Sequence, residues 1–181
     1  MTRLALSLCG YVNGVAQRHA ETTTRMFPGY RVHAVVNGVH TRTWTSPYFA
    51  QLFDAHHPGW SHEPEILVRA DALPDAAVWE AHQKSKQDLI GKVRWLSSKQ
   101  FDPEIPIFAF ARRMTGYKRP ELLFSEIDRL LAIHAKHPIQ VVMAGKAHAR
   151  DGAVQALIER LHAVIRSLYG KLPIVFQPGY D

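Results

Sequence analysis

The sequence predicts an α/β protein whose second half is the opening β-α-β-α-β stretch of a doubly wound parallel sheet. Short apolar runs at 105–110, 139–144 and 172–176 recur at about 33-residue spacing, as strands joined by helical crossovers do. The stretches between them carry apolar residues at helical intervals. Ahead of residue 100 the segments are irregular and aromatic-rich, so the chain divides into 1–100 and 101–181.

Taken in order, residues 1–26 read as a helix, with Leu4, Leu8, Val12, Val15 and His19 on one face and its start inside a buried core. Gly10 and Gly14 interrupt it, and Pro28-Gly29 ends it. Val32, Ala34 and Val36 alternate with polar neighbours and read as a strand over 31–36, closed by the turn pair Asn37-Gly38. A short helix is expected over 47–60, ending at Pro58-Gly59, and a longer one over 74–96 with Val78, Ala81, Leu89 and Val93 inward. In the second half, the strand 105–110 leads to a helix over 120–135, turned inward on Leu122, Leu123, Ile127, Leu130 and Leu131. The strand 139–144 and a helix over 153–168, with Leu157, Leu161, Val164 and Ile165 inward, lead to the strand 172–176. The chain stops just after that strand, which would leave a sheet edge uncovered, so a truncated domain is expected.

The chain has 181 residues and a formal net charge of +6. A mild basic excess favours an anionic partner. The Lys and Arg form no long run and are not interleaved with aromatics, which argues against a nucleic-acid binder. Cys9 is the only cysteine, so no internal disulfide can form and a cytoplasmic location is the default. No apolar run approaches the roughly 18 residues of a membrane span. The eleven His include the adjacent pair His56-His57, which would face apart on a helix, and no metal set is assigned.

The segment Phe110 to Pro120 lies between the first strand of the sheet and the helix after it. Ligands of open α/β sheets bind at the carboxyl ends of the strands, and a helix start there favours an anion. Arg112, Arg113, Lys118 and Arg119 are delivered to that place, with Gly116 allowing a close bend and Pro120 suited to a first helical position. The combination predicts a phosphate site, and the residues alone leave a solvated basic loop as the alternative. Ala144-Gly145-Lys146-Ala147-His148 reaches the same rim from the second strand. Val12 to His19 and Val36 to Trp44 each pair an Asn-Gly break with His, Asn or Trp, which are usual sugar contacts, although each break also serves a purely structural turn.

Four segments resemble the α-glucan phosphorylases. Arg112-Arg113-x-x-x-Tyr117-Lys118-Arg119 resembles their basic Tyr-Lys-Arg segment, and Val12-Asn13-Gly14-Val15-Ala16-x-x-His19 their Asn-Gly-Val…His segment. Asn37-Gly38-Val39 with Trp44 resembles their Thr-Asn-Gly…Trp segment, and Gly145-Lys146-Ala147 their Gly-Lys-Ala turn. All four follow the family's order over essentially the whole chain, and the wording is closest to the bacterial branch. The resemblance implies a two-lobed Rossmann-like (GT-B type) fold, with 1–100 as the C-terminal part of the first lobe and 101–181 as the first half of the second.

The resemblance also implies transfer of glucosyl between an α-1,4-glucan end and inorganic phosphate to give glucose 1-phosphate, with pyridoxal 5'-phosphate as cofactor. By it, Arg113 and Lys118 hold the substrate and cofactor phosphates as catalytic residues. Arg112, Tyr117, Lys146 and Tyr180 line the phosphate and cofactor pocket, and His19, Asn37 and His82 contact the sugar. It places the cofactor's Schiff-base lysine beyond Asp181, so the chain alone would be inactive, and it implies a full-length protein that is often a homo-oligomer. Gly116 stands where many relatives carry an acidic residue. A nucleotide-sugar glycosyltransferase of glycogen-synthase type and a non-catalytic glucan- or anion-binding module are the competing readings.

Overall fold

Val141, Val142, Met143 and Ala144 are apolar and fully enclosed, which makes their strand the centre of the larger sheet. The computed structural model describes residues 1–147 and 150–179. The chain forms two units, Met1–Leu73 and Pro74–Asp181. Its elements are α1 (Thr2–Leu8), β1 (Asn13–Gly14), α2 (Gln17–Met26), β2 (His33–Ala34), α3 (Thr41–Trp44), α4 (Pro47–His56), α5 (Asp75–Ser97), β3 (Ile107–Ala111), α6 (Ile127–Lys136), β4 (Gln140–Ala144), α7 (Gly152–Ser167) and β5 (Ile174–Gln177).

In the second unit β3, β4 and β5 are parallel and adjacent in that order, with Phe108 opposite Val141 and Val141 opposite Ile174. This is the α/β, parallel-sheet arrangement that the strand spacing predicts. Period-two alternation sorts the side chains. Val141, Met143 and Ile174 pack with Leu130 of α6 and Leu157 and Leu161 of α7. Val142 and Val175 pack on the other face with Val93 of α5 and Phe101. The sheet is therefore covered on both sides, which explains why β4 is apolar without interruption. Because α5 lies against this sheet, it groups with the second unit, although the sequence pattern shifts only near residue 100.

One polar residue sits inside this core. The Gln140 side chain is 2% exposed. Its Oε1 accepts from Asp102 N–H at 2.6 Å, and its Nε2 donates to the carbonyls of Asp102 at 2.9 Å and Ile105 at 3.1 Å. The amide thus uses all its strong bonding groups on one loop.

The first unit departs from the sequence expectation. Residues 1–26 form two helices with a break, because Gly14 folds back on the start of α2. A Cβ there would lie 2.9 Å from the Ala20 nitrogen and 3.2 Å from His19, so only glycine fits. Leu4 and Leu8, one helical turn apart, are 57% and 77% exposed, and Leu6 on the opposite face of α1 is the buried one. The helix is therefore not the core helix that Leu4 and Leu8 predict. The strand expected over 31–36 shortens to β2, which pairs in parallel with β1 through His33 N–H to the Val12 carbonyl and Val35 N–H to the Gly14 carbonyl, both 2.9 Å.

A polar lock organises the end of this unit. Trp60 is fully enclosed and stacks edge-on to Phe53 with ring centres 5.3 Å apart. Its indole N–H donates to Asp54 Oδ1 at 2.8 Å, and Arg42 donates to both carboxylate oxygens at 3.0 and 3.3 Å. The bonds from Arg42 and then Trp60 hold the Asp54 carboxyl below its ordinary range. A lowered folded-state value means that the stabilisation is complete above the unfolded aspartate value of about 3.9 and disappears as pH falls through the folded value. The Trp60 indole proton resonance should hold steady from neutral pH down to about pH 4 and then move in acid, and Asp54→Asn should abolish that transition.

Among the described residues no helix is long and apolar enough to cross a membrane, and no three His, Cys, Asp or Glu side chains gather into a metal cluster.

Candidate functional site at the carboxyl rim of the sheet

The ends of the three parallel strands are laced together by main-chain bonds. Arg112 N–H, just past β3, donates to the Ala144 carbonyl at 3.2 Å. Gly145 N–H, just past β4, donates to the Gln177 carbonyl of β5 at 3.0 Å. Gly145 also lies against the loop after β3. A Cβ on it would meet the Arg112 carbonyl oxygen at 2.5 Å and Met114 Cγ and Cε at 2.9 and 3.0 Å. Met114 is buried and joins the core under α6 and α7, so the loop is anchored from below. Arg112, Arg113 and Lys146 are thereby carried on one interlocked rim, and all three are exposed.

The loop continues as a single 3-10 turn, Gly116–Lys118. The Lys118 ammonium sits 4.8 Å from the centre of the Tyr117 ring, a cation–π distance that holds the two together. Among the described residues no carboxylate is ion-paired with Arg112, Arg113, Lys118, Arg119 or Lys146. The Thr115 hydroxyl in the same loop is buried and lacks a hydrogen-bond partner. Unneutralised cations gathered on this loop and the rim beside it form a donor set for an anion with several oxygens.

One part of the expected anion site is corrected. A helix starting at Pro120 would aim its N-terminus at this loop, but α6 begins at Ile127. Arg119 has a left-handed backbone (φ 53°), and residues 122–124 form a separate 3-10 turn that buries Phe124. Glu121 is drawn to α7, where Arg160 donates to it at 2.9 and 3.2 Å, and this pairing raises the Arg160 value. The segment is thus pulled toward α7 before α6 can start. The rim therefore offers side-chain cations without the dipole of a helix start.

The predicted sugar contacts fall in two places. His19 and Asn37 belong to the first unit, where each follows a strand of the parallel pair β1 and β2, and both are exposed. His19 Nδ1 accepts from Val15 N–H at 3.2 Å, so in the neutral ring the proton sits on Nε2. His82 is on α5 and stacks on Trp79 with ring centres 5.3 Å apart. Both line a cleft of about 440 Å³ beside β3, together with Gln83, Lys86, Glu104 and Ala109. Trp79 is an aromatic platform that sequence reasoning missed; its position three residues before His82 on a helix was the available signal. Tyr180 and His148 lie outside the described residues.

The Gly145 contact yields a direct test. Gly145→Ala should destabilise the second unit by about 1–3 kcal/mol, the usual penalty of overpacking, because the obstructing atom is a backbone oxygen that cannot swing away. Urea unfolding followed by amide exchange of residues 141–144 measures it, and the rim amides of 112–114 should shift most.

No family model matches the chain. It is 31% identical to the glycogen phosphorylase of Aquifex aeolicus over 99% of its own length, which is 30% of that protein. It is 28% identical to the maltodextrin phosphorylase of Thermococcus litoralis over its full length, 25% of that protein. It is 30% identical to the glycogen phosphorylase of Mycobacterium tuberculosis, again over its full length and 24% of that protein. The chain thus spans a quarter to under a third of these relatives. The likeness covers essentially the whole of this chain, and by sequence it is similar to a segment of the α-glucan phosphorylases.

Proposed function

We propose that the chain supplies the phosphate-binding rim, and part of the sugar site, of a cytoplasmic, pyridoxal-phosphate-dependent α-glucan phosphorylase. That enzyme moves a glucosyl unit between the end of an α-1,4-glucan and inorganic phosphate, giving glucose 1-phosphate. The observation that carries the reading is the unpaired cationic rim at the interlocked ends of β3 and β4. Phosphorolysis brings a phosphate up to a cationic sugar centre beside a second phosphate, so cations must offset the repulsion between the two anions.

In this reading Arg113 and Lys118 grip the phosphates, the guanidinium through its planar fork and the ammonium as a mobile point charge. Arg112, Tyr117, Lys146 and Tyr180 complete the pocket, and His19, Asn37 and His82 orient the glucosyl hydroxyls. The donor set fits a cofactor phosphate as well as a substrate phosphate, since no carboxylate neutralises it among the described residues. The cofactor, when bound, supplies through its own phosphate a proton-exchanging partner for the substrate phosphate. The same reading takes 1–100 as the end of one Rossmann-like lobe of a GT-B fold and 101–181 as the start of the other, within a homo-oligomer.

Titration of the 181-residue chain with inorganic phosphate, followed by NMR, tests the rim. The side-chain signals of Arg113 and Lys118 should move first and saturate together. A response confined to residues away from 112–118 and 145–147 would remove the assignment. The isolated chain incubated with glycogen, phosphate and pyridoxal phosphate is expected to yield no glucose 1-phosphate.

A further inference from the structure

The opposite, amino-terminal end of the sheet holds a second cavity, of about 410 Å³, within the size range of small-molecule sites. It is bordered by the approach to β5 (Tyr169 to Pro173), by Lys99 to Phe101, and by His134 near the end of α6. No carboxylate lines it.

Its polar groups are held in place by bonds unrelated to the rim. Helix α5 stops at Ser98, whose left-handed backbone (φ 56°) turns the chain toward the sheet. The turn delivers Lys99, whose half-buried side chain donates to the Ile174 carbonyl at 2.8 Å. An ammonium has three donors, so two remain for a ligand. The Lys99 ammonium also lies 5.8 Å from the centre of the Tyr169 ring, and Tyr169 is 78% exposed. His134 Nδ1 accepts from Ile139 N–H at 3.1 Å, which leaves Nε2–H as a donor in the neutral ring. Lys171 adds a second ammonium, and buried Phe101 provides an apolar floor.

Two cations and an imidazole N–H require a negative group, while an open aromatic face beside an apolar floor suits a flat ring. A solvated basic patch would leave its lysines free in water, whereas Lys99 is fixed against the first residue of β5. We propose that this cavity is a binding site for a small anion bearing an aromatic ring, separate from the phosphate rim.

The probe is phenyl phosphate, titrated into the 181-residue chain by NMR alongside inorganic phosphate. Phenyl phosphate should shift the Tyr169 ring, His134 and Lys99 signals, and should bind there at least tenfold more tightly than inorganic phosphate. Arg113→Ala should leave these shifts unchanged. Lys99→Met should weaken binding at least tenfold, and Tyr169→Ser and Lys171→Met, both at exposed positions, should each weaken it severalfold. Equal affinity for the two probes would reduce the site to an unselective cationic patch and overturn the proposal. So would shifts confined to the rim and lost in Arg113→Ala, or unchanged binding in both surface variants.

Discussion

Arg113→Ala, made in a complete phosphorylase carrying this segment, is expected to lower turnover about a hundred- to a thousandfold while leaving glucan affinity almost unchanged. Glucan is neutral, so its binding gains little from a guanidinium. The charge is needed when phosphate oxygens face the developing positive charge of the sugar and a second phosphate stands nearby. Arg113 sits next to Arg112, whose N–H is tied to the Ala144 carbonyl, so the guanidinium is presented from a braced position and needs little reorganisation. Arg113→Lys should remain impaired, because a point charge does not reproduce two parallel hydrogen bonds to one phosphate. Steady-state kinetics with phosphate and glucan varied separately distinguish the outcomes. Unchanged turnover in Arg113→Ala would take the residue out of the site.

Leu161→Ala should cost the second unit about 2–5 kcal/mol, the range for removing a buried leucine side chain. Leu161 is wholly enclosed on α7, packed among Leu130, Val141, Met143 and Ile174. It also floors a cleft between α7 and the segment from Gly116 to Ser125. Its truncation therefore enlarges an apolar opening that water fills poorly, and it loosens the chain that follows the cationic loop. Exchange of the β4 amides should accelerate strongly, and phosphate affinity at the rim should fall with stability. Leu122→Ala, on an exposed residue of the same neighbourhood, should stay within about 0.5 kcal/mol of the parent.

The sheet was readable because its signals are local and repeated. Gln140 to Ala144 is a continuous buried strand, and Leu157 and Leu161 recur one turn apart on α7. The rim was readable for a related reason: parallel strands send their following loops to the same edge, so Arg112 and Lys146 had to arrive together. Contacts between distant residues were hidden. Nothing near Gly14 announces that Ala20 will press against it, and a two-residue strand such as β1 carries no period to detect. The late start of α6 depends on the left-handed Arg119 and on Arg160 capturing Glu121 from 39 positions away. Met114 and Thr115 escaped notice because a loop residue is expected to face water, and here the loop is anchored in the core.

The amide of Gln140 fixes which alignment of the sheet the chain accepts. A run of Val141, Val142, Met143 and Ala144 would pair almost equally well if it slid along its neighbours, since one aliphatic side chain replaces another. A slip by one residue would send the Gln140 side chain to the opposite face. A slip by two would restore the face but move the amide about 6.6 Å from the loop at 102–105. Either error parts the buried amide from its three backbone partners, at about 1–3 kcal/mol for each amide group left unmatched inside the core. The correct pairing is thus selected by the failure of its competitors, and one hydrophilic side chain gives an otherwise featureless strand a single place to stop.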